Sequence, residues 1–407
     1  MKKISFNLKS LESILVLLSC CDIVYINHLN GSVSTILFCV RLMFIMIYGL
    51  KILLQKKKID WSKSFLLINI LFLLFIGKSI LRTTSITYYM LQLLSKPYLI
   101  VLYMQHNFNN NFKIKNILNV WKKLLFILCF IDFITIIIFP NGMYAEKNYA
   151  INWFLGYKTA RLVYSWALLF IASYLDFCEI KVGKKHLSKL TLFSFVICIF
   201  SAFRSQATGA CTALIVYVIL IYLLKMENEK NSGGRLYYLY SPKKIILYIG
   251  IIYYLVMSIE SNVYIQNMVT SIFKKSTTLS NRTDIWKNCF EFFMQSPVFG
   301  KGIFTPLEYI SISKYYLGTN AHNYLLTLLI SGGIIALIIY LYMLKVSMTR
   351  KNRIYTRQEL TLIVAIIVFL FVGVTSSALA FSTFAFLPFI ILEYEKIKKR
   401  KEDINEK

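Results

Sequence analysis

The sequence predicts an all-α, polytopic membrane protein of about 12 transmembrane helices. Of its 407 residues, 57% are hydrophobic and only 16% are charged, whereas soluble domains carry about 25% charged residues. The apolar residues lie in windows of about 20, the length that crosses a hydrocarbon core of ~30 Å. Basic residues lie in short clusters between these windows, which is typical of cytoplasmic loops.

Hydropathy divides the chain into spans, loops and a tail. Nine spans fall in residues 1–262, and a large extracellular loop with a short amphipathic helix covers 263–321. Three more spans fall in 322–395, and a basic cytoplasmic tail covers 396–407. The predicted spans are 12–28, 33–54, 64–81, 86–104, 117–139, 161–180, 190–206, 208–224, 244–262, 322–344, 359–375 and 379–395.

The distribution of Lys and Arg sets the orientation. With the N-terminus inside, the cytoplasmic segments hold 32 of the 46 basic residues and the external segments hold 11. This bias predicts that both termini are cytoplasmic. It also accounts for the net charge of +27, so we expect membrane lipids, and no nucleic acid, as partners.

Neither a metal nor another cofactor is expected. Seven of the eight cysteines lie in apolar segments and only Cys289 lies in the predicted external loop, so the sequence indicates no disulfide framework. No CxxC or HExxH pattern is present, and such patterns are the usual signs of a zinc site.

The long external loop contains one recognisable helix. Asn281 or Thr283 is a suitable N-cap, and Asp284 favours the first turn of a helix. Ser296-Pro297 ends the helix. Its apolar face is predicted to be Trp286, Cys289, Phe290, Phe293 and Met294.

Arg282 and His322 are the main candidates for catalysis in this loop. A guanidinium binds phosphate oxygens in pairs and stabilises charge on a leaving group, although an interfacial arginine also anchors helices to headgroups. A neutral imidazole is the natural general base near neutral pH, although a histidine at a helix start is often structural. Asn323 is placed to orient the imidazole or a sugar hydroxyl.

Further polar residues are candidates for substrate binding. Arg161 and Arg204 lie at the external entrances of two spans, where each supplies either a second phosphate contact or an end-of-helix cation. Asp284 and Lys301 complete the set. Lys301 lies between Gly300 and Gly302, whose freedom at positive φ predicts a turn. The spacing is not that of a P-loop.

Charged residues inside the spans leave a different class of protein open. Such residues are costly in hydrocarbon and are expected to face the bundle or a wet cavity. Lys96 and Asp132 are candidates for an ion pair, or for the ion path of a transporter. The full set is Asp22, Arg41, Lys78, Lys96, Asp132 and Asp176.

Three motifs in order resemble one known superfamily. They are Arg282-Thr283-Asp284-Ile285-Trp286, then Pro297-Val298-Phe299-Gly300-Lys301-Gly302, then His322-Asn323-Tyr324-Leu325 with Gly332-Gly333. Their order, spacing and side of the membrane resemble the bacterial O-antigen ligase and Wzy-type polysaccharide polymerase superfamily. The similarity covers residues 195–345 and, more weakly, 150–175.

The resemblance implies a metal-independent glycosyltransferase in the bacterial inner (plasma) membrane. Its substrate would be an undecaprenyl-diphosphate-linked oligosaccharide on the outer face, and its partners would include a flippase and a chain-length regulator. Arg282 would bind the diphosphate and His322 would deprotonate the acceptor hydroxyl. The product would be a capsular or O-antigen-type polysaccharide.

One departure from the family pattern leaves the second diphosphate contact open. The family has an arginine where this chain has Ala207-Thr208-Gly209-Ala210, so Arg204 or Arg161 would substitute. A repeat-unit polymerase is the preferred function. The alternatives are a ligase of the same superfamily and a flippase for lipid-linked oligosaccharide, which needs cavity charges but no long external loop with an Arg–His pair.

Overall fold

The structure is a computed structural model of the full chain. It describes residues 8–21, 23–54, 61–80, 84–108, 111–145, 151–180, 187–226, a few positions between 244 and 254, 282–316, 318–349, 355–374, 376 and 381–405.

Helices dominate the described residues. Those before the long loop are α1 Leu8–Cys20, α2 Val24–Leu29, α3 Gly31–Leu54, α4 Lys63–Ser79, α5 Thr84–His106, α6 Asn111–Ile138, α7 Leu162–Ile180, α8 Lys189–Arg204 and α9 Thr208–Met226. Those that follow are α10 Arg282–Met294, α11 Pro306–Ser313, α12 Tyr324–Met348, α13 Arg357–Gly373 and α14 Leu387–Asn405.

Most predicted spans coincide with one helix, but the first and the last differ. The first is divided, because α1 ends at Cys20 and α2 begins at Val24. The last begins later than predicted, and α14 continues to Asn405 through the predicted tail. Most of span 244–262, Asp22, Asn281 and loop residues 263–281 lie outside the described residues.

Membrane character is clear, whereas the number of crossings stays a prediction. In the described part of the chain, three helices are both long and apolar enough to cross a membrane: Gly31–Leu54, Leu162–Glu179 and Tyr324–Met348. The first and third of these helices carry large exposed apolar side chains such as Ile36 and Ile338, as expected of surfaces that meet lipid. Leu162–Glu179 is instead 94% buried inside the bundle.

A small sheet interrupts the otherwise helical fold and was not predicted. Strands β1 Tyr144–Ala145, β2 Ile151–Trp153 and β3 Gly156–Tyr157 form an antiparallel sheet in that order. Asn152 pairs with Tyr144 on one side and with Tyr157 on the other. The sheet lies between α6 and α7, and so it fixes the entrance of α7.

The bundle is packed from sequence-distant helices. Helix α12 packs on α4, α13 packs on α7 and α9, and α3 packs on α5. The buried Arg41 of α3 donates from Nε to Ser19 O at 3.0 Å and from Nη1 to Gln92 O at 2.9 Å and Ser95 Oγ at 3.1 Å. These bonds join α1, α3 and α5 and compensate the burial of the charge.

At the start of α4, whose N-cap is Ser62, the carboxylate of Glu393 on α14 accepts further hydrogen bonds. It accepts hydrogen bonds from the Ser62 hydroxyl, from Lys63 N at 2.9 Å and from Ser64 N at 2.6 Å. A carboxylate stabilises a helix N-terminus because the first N–H groups have no partner within the helix. Similarly, Asp176 accepts from Ser188 N at 2.7 Å.

Candidate functional site

Helix α10 is the predicted loop helix, and its buried face holds it on the bundle. Ile285, Trp286, Cys289 and Phe293 are buried in a cluster of their own. Burial raises the pKa of the Cys289 thiol to about 12. The other two residues of the predicted apolar face, Phe290 and Met294, do not pack on the bundle and are 51% and 55% exposed.

The same cluster contains residues next to the catalytic candidate His322. Ala321, Leu326 and Ile330, which flank and begin α12, pack with the buried face of α10. Helix α11 joins them through Tyr309. It was not predicted, although the capping box formed by Thr305 and Glu308 is a recognisable sequence signal. The segments that carry Arg282 and His322 therefore share one packed unit.

Arg282 is the first residue of α10 and is half-buried. Burial lowers the pKa of its guanidinium, and the nearby phenol of Tyr157 on β3 opposes this change. Among the described residues, no hydrogen bond or ion pair engages the guanidinium. Its N–H donors are therefore available for an anion near the sheet that precedes α7.

The turn of residues 297–302 fits into a break in α12. The break is at Gly333, whose φ is 66° and ψ is −165°. Lys301 N donates to Ile330 O at 2.8 Å and Gly302 N donates to Ser331 O at 3.0 Å. Beyond the break, Ile334 N donates to Pro297 O at 2.8 Å. The two glycine motifs are thus halves of one interlock, which satisfies the peptide groups freed by the break.

His322 lies just before α12 in a left-handed conformation, with φ of 47°. Its backbone N–H donates to Asn320 Oδ1 at 2.8 Å. A non-glycine residue in this region is strained, and such strain is concentrated at functional sites. Asn320 and the cap at Asn323 therefore fix the backbone on both sides of the imidazole.

Asn323 is the N-cap of α12, which differs from the orienting role expected of its side chain. Its Oδ1 accepts from Leu326 N at 3.0 Å, and its Nδ2 donates to Val374 O at 3.2 Å. The residue is 3% exposed. Both ends of the amide therefore hold the start of α12 in place.

Arg161 pairs with Asp132, not with a group at the start of α10. Its Nη1 donates to Asp132 Oδ2 at 2.9 Å, and both side chains are 4% exposed. The other carboxylate oxygen accepts from Leu155 N at 2.9 Å, and the guanidinium carbon lies 4.8 Å from the centre of the Trp153 ring. The pairing of Asp132 with Lys96 that the sequence left open is thus corrected. The pair joins α6 to the sheet and to α7.

The remaining candidates are exposed or half-buried. Arg204 is exposed at the last residue of α8, and Asp284 is exposed in the first turn of α10. Lys301 is half-buried, donates from Nζ to Gln295 Oε1 at 2.5 Å and lies 4.1 Å from the centre of the Phe292 ring. Their binding roles stay predictions.

A cavity of about 390 Å³ lies between α5, α7, α11 and α12. Lys96 is the one charged side chain among the described residues that line it. Other polar lining comes from Tyr309, Asn320, Thr327, Ser331 and Ser382. Burial raises the pKa of the Tyr309 phenol well above its usual range, so it stays neutral. The backbone N–H of His322 donates to the side chain of Asn320, so the backbone of the candidate base lies next to a residue that lines this cavity.

The structure therefore separates the candidates into groups. Arg282 and His322 lie on segments packed together near the cavity, whereas Arg161 is ion-paired and Asn323 caps a helix. Sequence reasoning did not single out Ser331 and Ser382, which line the cavity. Two features of the sequence could have indicated the cavity: the charge of Lys96 inside a predicted span, and the glycine pair that follows Ser331 and breaks α12.

The three long apolar helices and the exposed apolar side chains of the bundle define an integral membrane protein. Residues 191–341 match the family model described as O-Antigen ligase. This segment includes Arg204, α10, His322 and the broken part of α12, and the resemblance to the O-antigen ligase and Wzy-type polymerase superfamily is thereby confirmed. Neither a curated protein nor a solved structure matches the chain. The family match supports a membrane enzyme of this superfamily and is consistent with a lipid-linked substrate.

Proposed function

We propose that this protein is a glycosyltransferase that polymerises undecaprenyl-diphosphate-linked oligosaccharide repeat units on the outer face of the membrane. The main support is that the family match contains both Arg282 and His322, on segments that share one packed cluster. The half-buried guanidinium, which has no hydrogen bond or ion pair with the described residues, suits a diphosphate.

In the proposed reaction, Arg282 binds the diphosphate of the growing chain and His322 accepts the proton of an acceptor hydroxyl. The acceptor oxygen forms a bond to the anomeric carbon of the donor sugar while the bond from that carbon to the diphosphate breaks. Undecaprenyl diphosphate leaves with its charge stabilised by the guanidinium. Attack opposite the leaving group inverts the anomeric configuration.

The left-handed backbone of His322 determines the best substitution. Asn tolerates this conformation better than most residues, so His322→Asn removes the imidazole with little added backbone strain. Arg282→Gln removes the charge. Lys287→Ala is a matched control, because Lys287 is exposed on the same helix as Arg282.

The test replaces the cell's own copy with each variant and measures polysaccharide chain length on gels, at equal membrane levels of protein. The expected result is loss of the ladder for His322→Asn and Arg282→Gln, with single lipid-linked repeats on the outer face. Lys287→Ala should give a normal ladder. A normal ladder from both site variants would overturn the assignment, and repeats trapped on the inner face would favour a flippase.

The ligase alternative is favoured by the family description itself, O-Antigen ligase. The purified protein distinguishes the two. When the lipid-linked repeat unit is the only substrate supplied, a polymerase produces a lipid-linked ladder. A ligase produces no ladder, because it requires a separate acceptor.

A further inference from the structure

Lys96 lies well inside its helix and lines the cavity. At 1.5 Å per residue, it is about 18 Å from the start of α5, and Ser331 is about 10 Å from the start of α12. Both helices begin on the external side in the predicted orientation. An ammonium at such depth is costly unless polar groups or an anion face it, and such residues are functional candidates by default.

Two buried hydroxyls line the same cavity. The side chains of Ser331 and Ser382 are only 1% and 8% exposed. Neither hydroxyl has a hydrogen-bond partner in the described structure. Buried polar groups are nearly always satisfied, so these two donors indicate where a ligand supplies the missing bonds.

The hydrogen bonds at the break in α12 do not use these two hydroxyl groups. The Ser331 carbonyl already accepts from Gly302 N at 3.0 Å, and Ile330 O accepts from Lys301 N at 2.8 Å. What Ser331 offers to the cavity is therefore its hydroxyl alone.

We propose that Lys96, Ser331 and Ser382 form an anion-binding subsite for a phosphate group of the lipid-linked donor. The ammonium neutralises the anion, and the hydroxyls donate hydrogen bonds to its oxygens. This inference rests on the proposed function for the identity of the donor. It makes Lys96 a second cation for the diphosphate together with Arg282, since Arg161 is paired with Asp132.

The experiment measures the Kd of the full-length protein in nanodiscs for undecaprenyl diphosphate and, separately, for inorganic pyrophosphate. Lys96→Met removes the charge at nearly constant volume, and Lys96→Arg retains it. Lys51→Met is the control, because Lys51 is an exposed lysine whose Nζ lies 3.9 Å from Glu12 Oε1. We expect Lys96→Met to weaken lipid binding about tenfold or more, with partial recovery in Lys96→Arg and no change in Lys51→Met.

The double variant Ser331→Ala/Ser382→Ala tests the subsite if Lys96→Met does not fold. We expect it to weaken lipid binding several-fold without loss of thermal stability. Unchanged binding in both the Lys96 and the serine variants would overturn the subsite. If these variants lose pyrophosphate binding but still bind the lipid, the subsite does not bind the lipid-linked donor and is assigned to free phosphate.

These measurements distinguish an error in the subsite from an error in the proposed function. His322→Asn should bind lipid like the wild type while losing polymer. If that variant still makes polymer but Lys96→Met loses lipid binding, the subsite stands and the proposed catalytic assignment fails.

Discussion

The backbone of Gly300 packs directly against the backbone of Gly333 where α12 is broken. A Cβ added to Gly300 would lie 2.6 Å from Gly333 N, and a Cβ added to Gly333 would lie 2.6 Å from Gly300 N. Both residues have positive φ, 64° and 66°. Each glycine is thus required by the space that the other occupies as well as by its own conformation.

Alanine at either glycine should therefore destabilise the protein strongly. We expect Gly300→Ala and Gly333→Ala each to cost more than about 2 kcal/mol, because strain and a backbone clash combine. Melting temperature in detergent and the amount of protein in membranes measure the effect. Gly77→Ala is the control, since a Cβ there meets nothing within 4 Å. Wild-type melting of Gly300→Ala would contradict the interlock.

The cap at Asn323 predicts a loss of stability rather than a loss of chemistry alone. Asn323→Ala removes the acceptor for Leu326 N and the donor to Val374 O, and should cost about 1–2 kcal/mol. Asn323→Asp keeps the acceptor for Leu326 N but places a buried carboxylate oxygen against Val374 O, so it should also be destabilised. Thermal unfolding of both variants, with His322→Asn as the stable reference, provides the check. Equal stability of all three would return Asn323 to a substrate-binding role.

The buried pair of Asp132 and Arg161 should behave as one unit. Removing either partner leaves the other charge uncompensated, so Asp132→Ala and Arg161→Ala should each cost about 3–5 kcal/mol. The double variant should be less destabilised than the sum of the two. Unfolding free energies from a double-mutant cycle measure this coupling. Additive effects would show that Arg161 is stabilised by another group.

Because Cys289 is buried where α10 packs on the bundle, its thiol should react slowly with alkylating reagents. Because its pKa is raised to about 12, the thiol stays protonated at pH 7–9 and should resist alkylation over that whole range. A cysteine introduced by Lys287→Cys on the exposed face should react faster as pH rises towards an ordinary thiol pKa. Mass spectrometry of the alkylated peptide distinguishes them. Equal rates at pH 8 would mean that α10 is not held as described.

Local signals in the sequence were sufficient for the helices that carry the site. Hydropathy located most helices, and the pattern from Arg282 to Ser296-Pro297 predicted α10 with Arg282 at its start. These features depend on residues a few positions apart, which is the range over which helical periodicity and capping act. The order of the three motifs also sufficed to find the resemblance to the superfamily whose family model matches residues 191–341.

Only the tertiary structure decided which side chains meet. In the structure Asp132 pairs with Arg161 and not with Lys96. The Gly300–Gly302 turn bonds to the break in α12 at Gly333, and the side chain of Phe290 is exposed. The tertiary structure also brought Lys96, Ser331 and Ser382 to one cavity. Each of these outcomes depends on how helices far apart in the chain pack side by side, and no periodicity within a single segment contains that information.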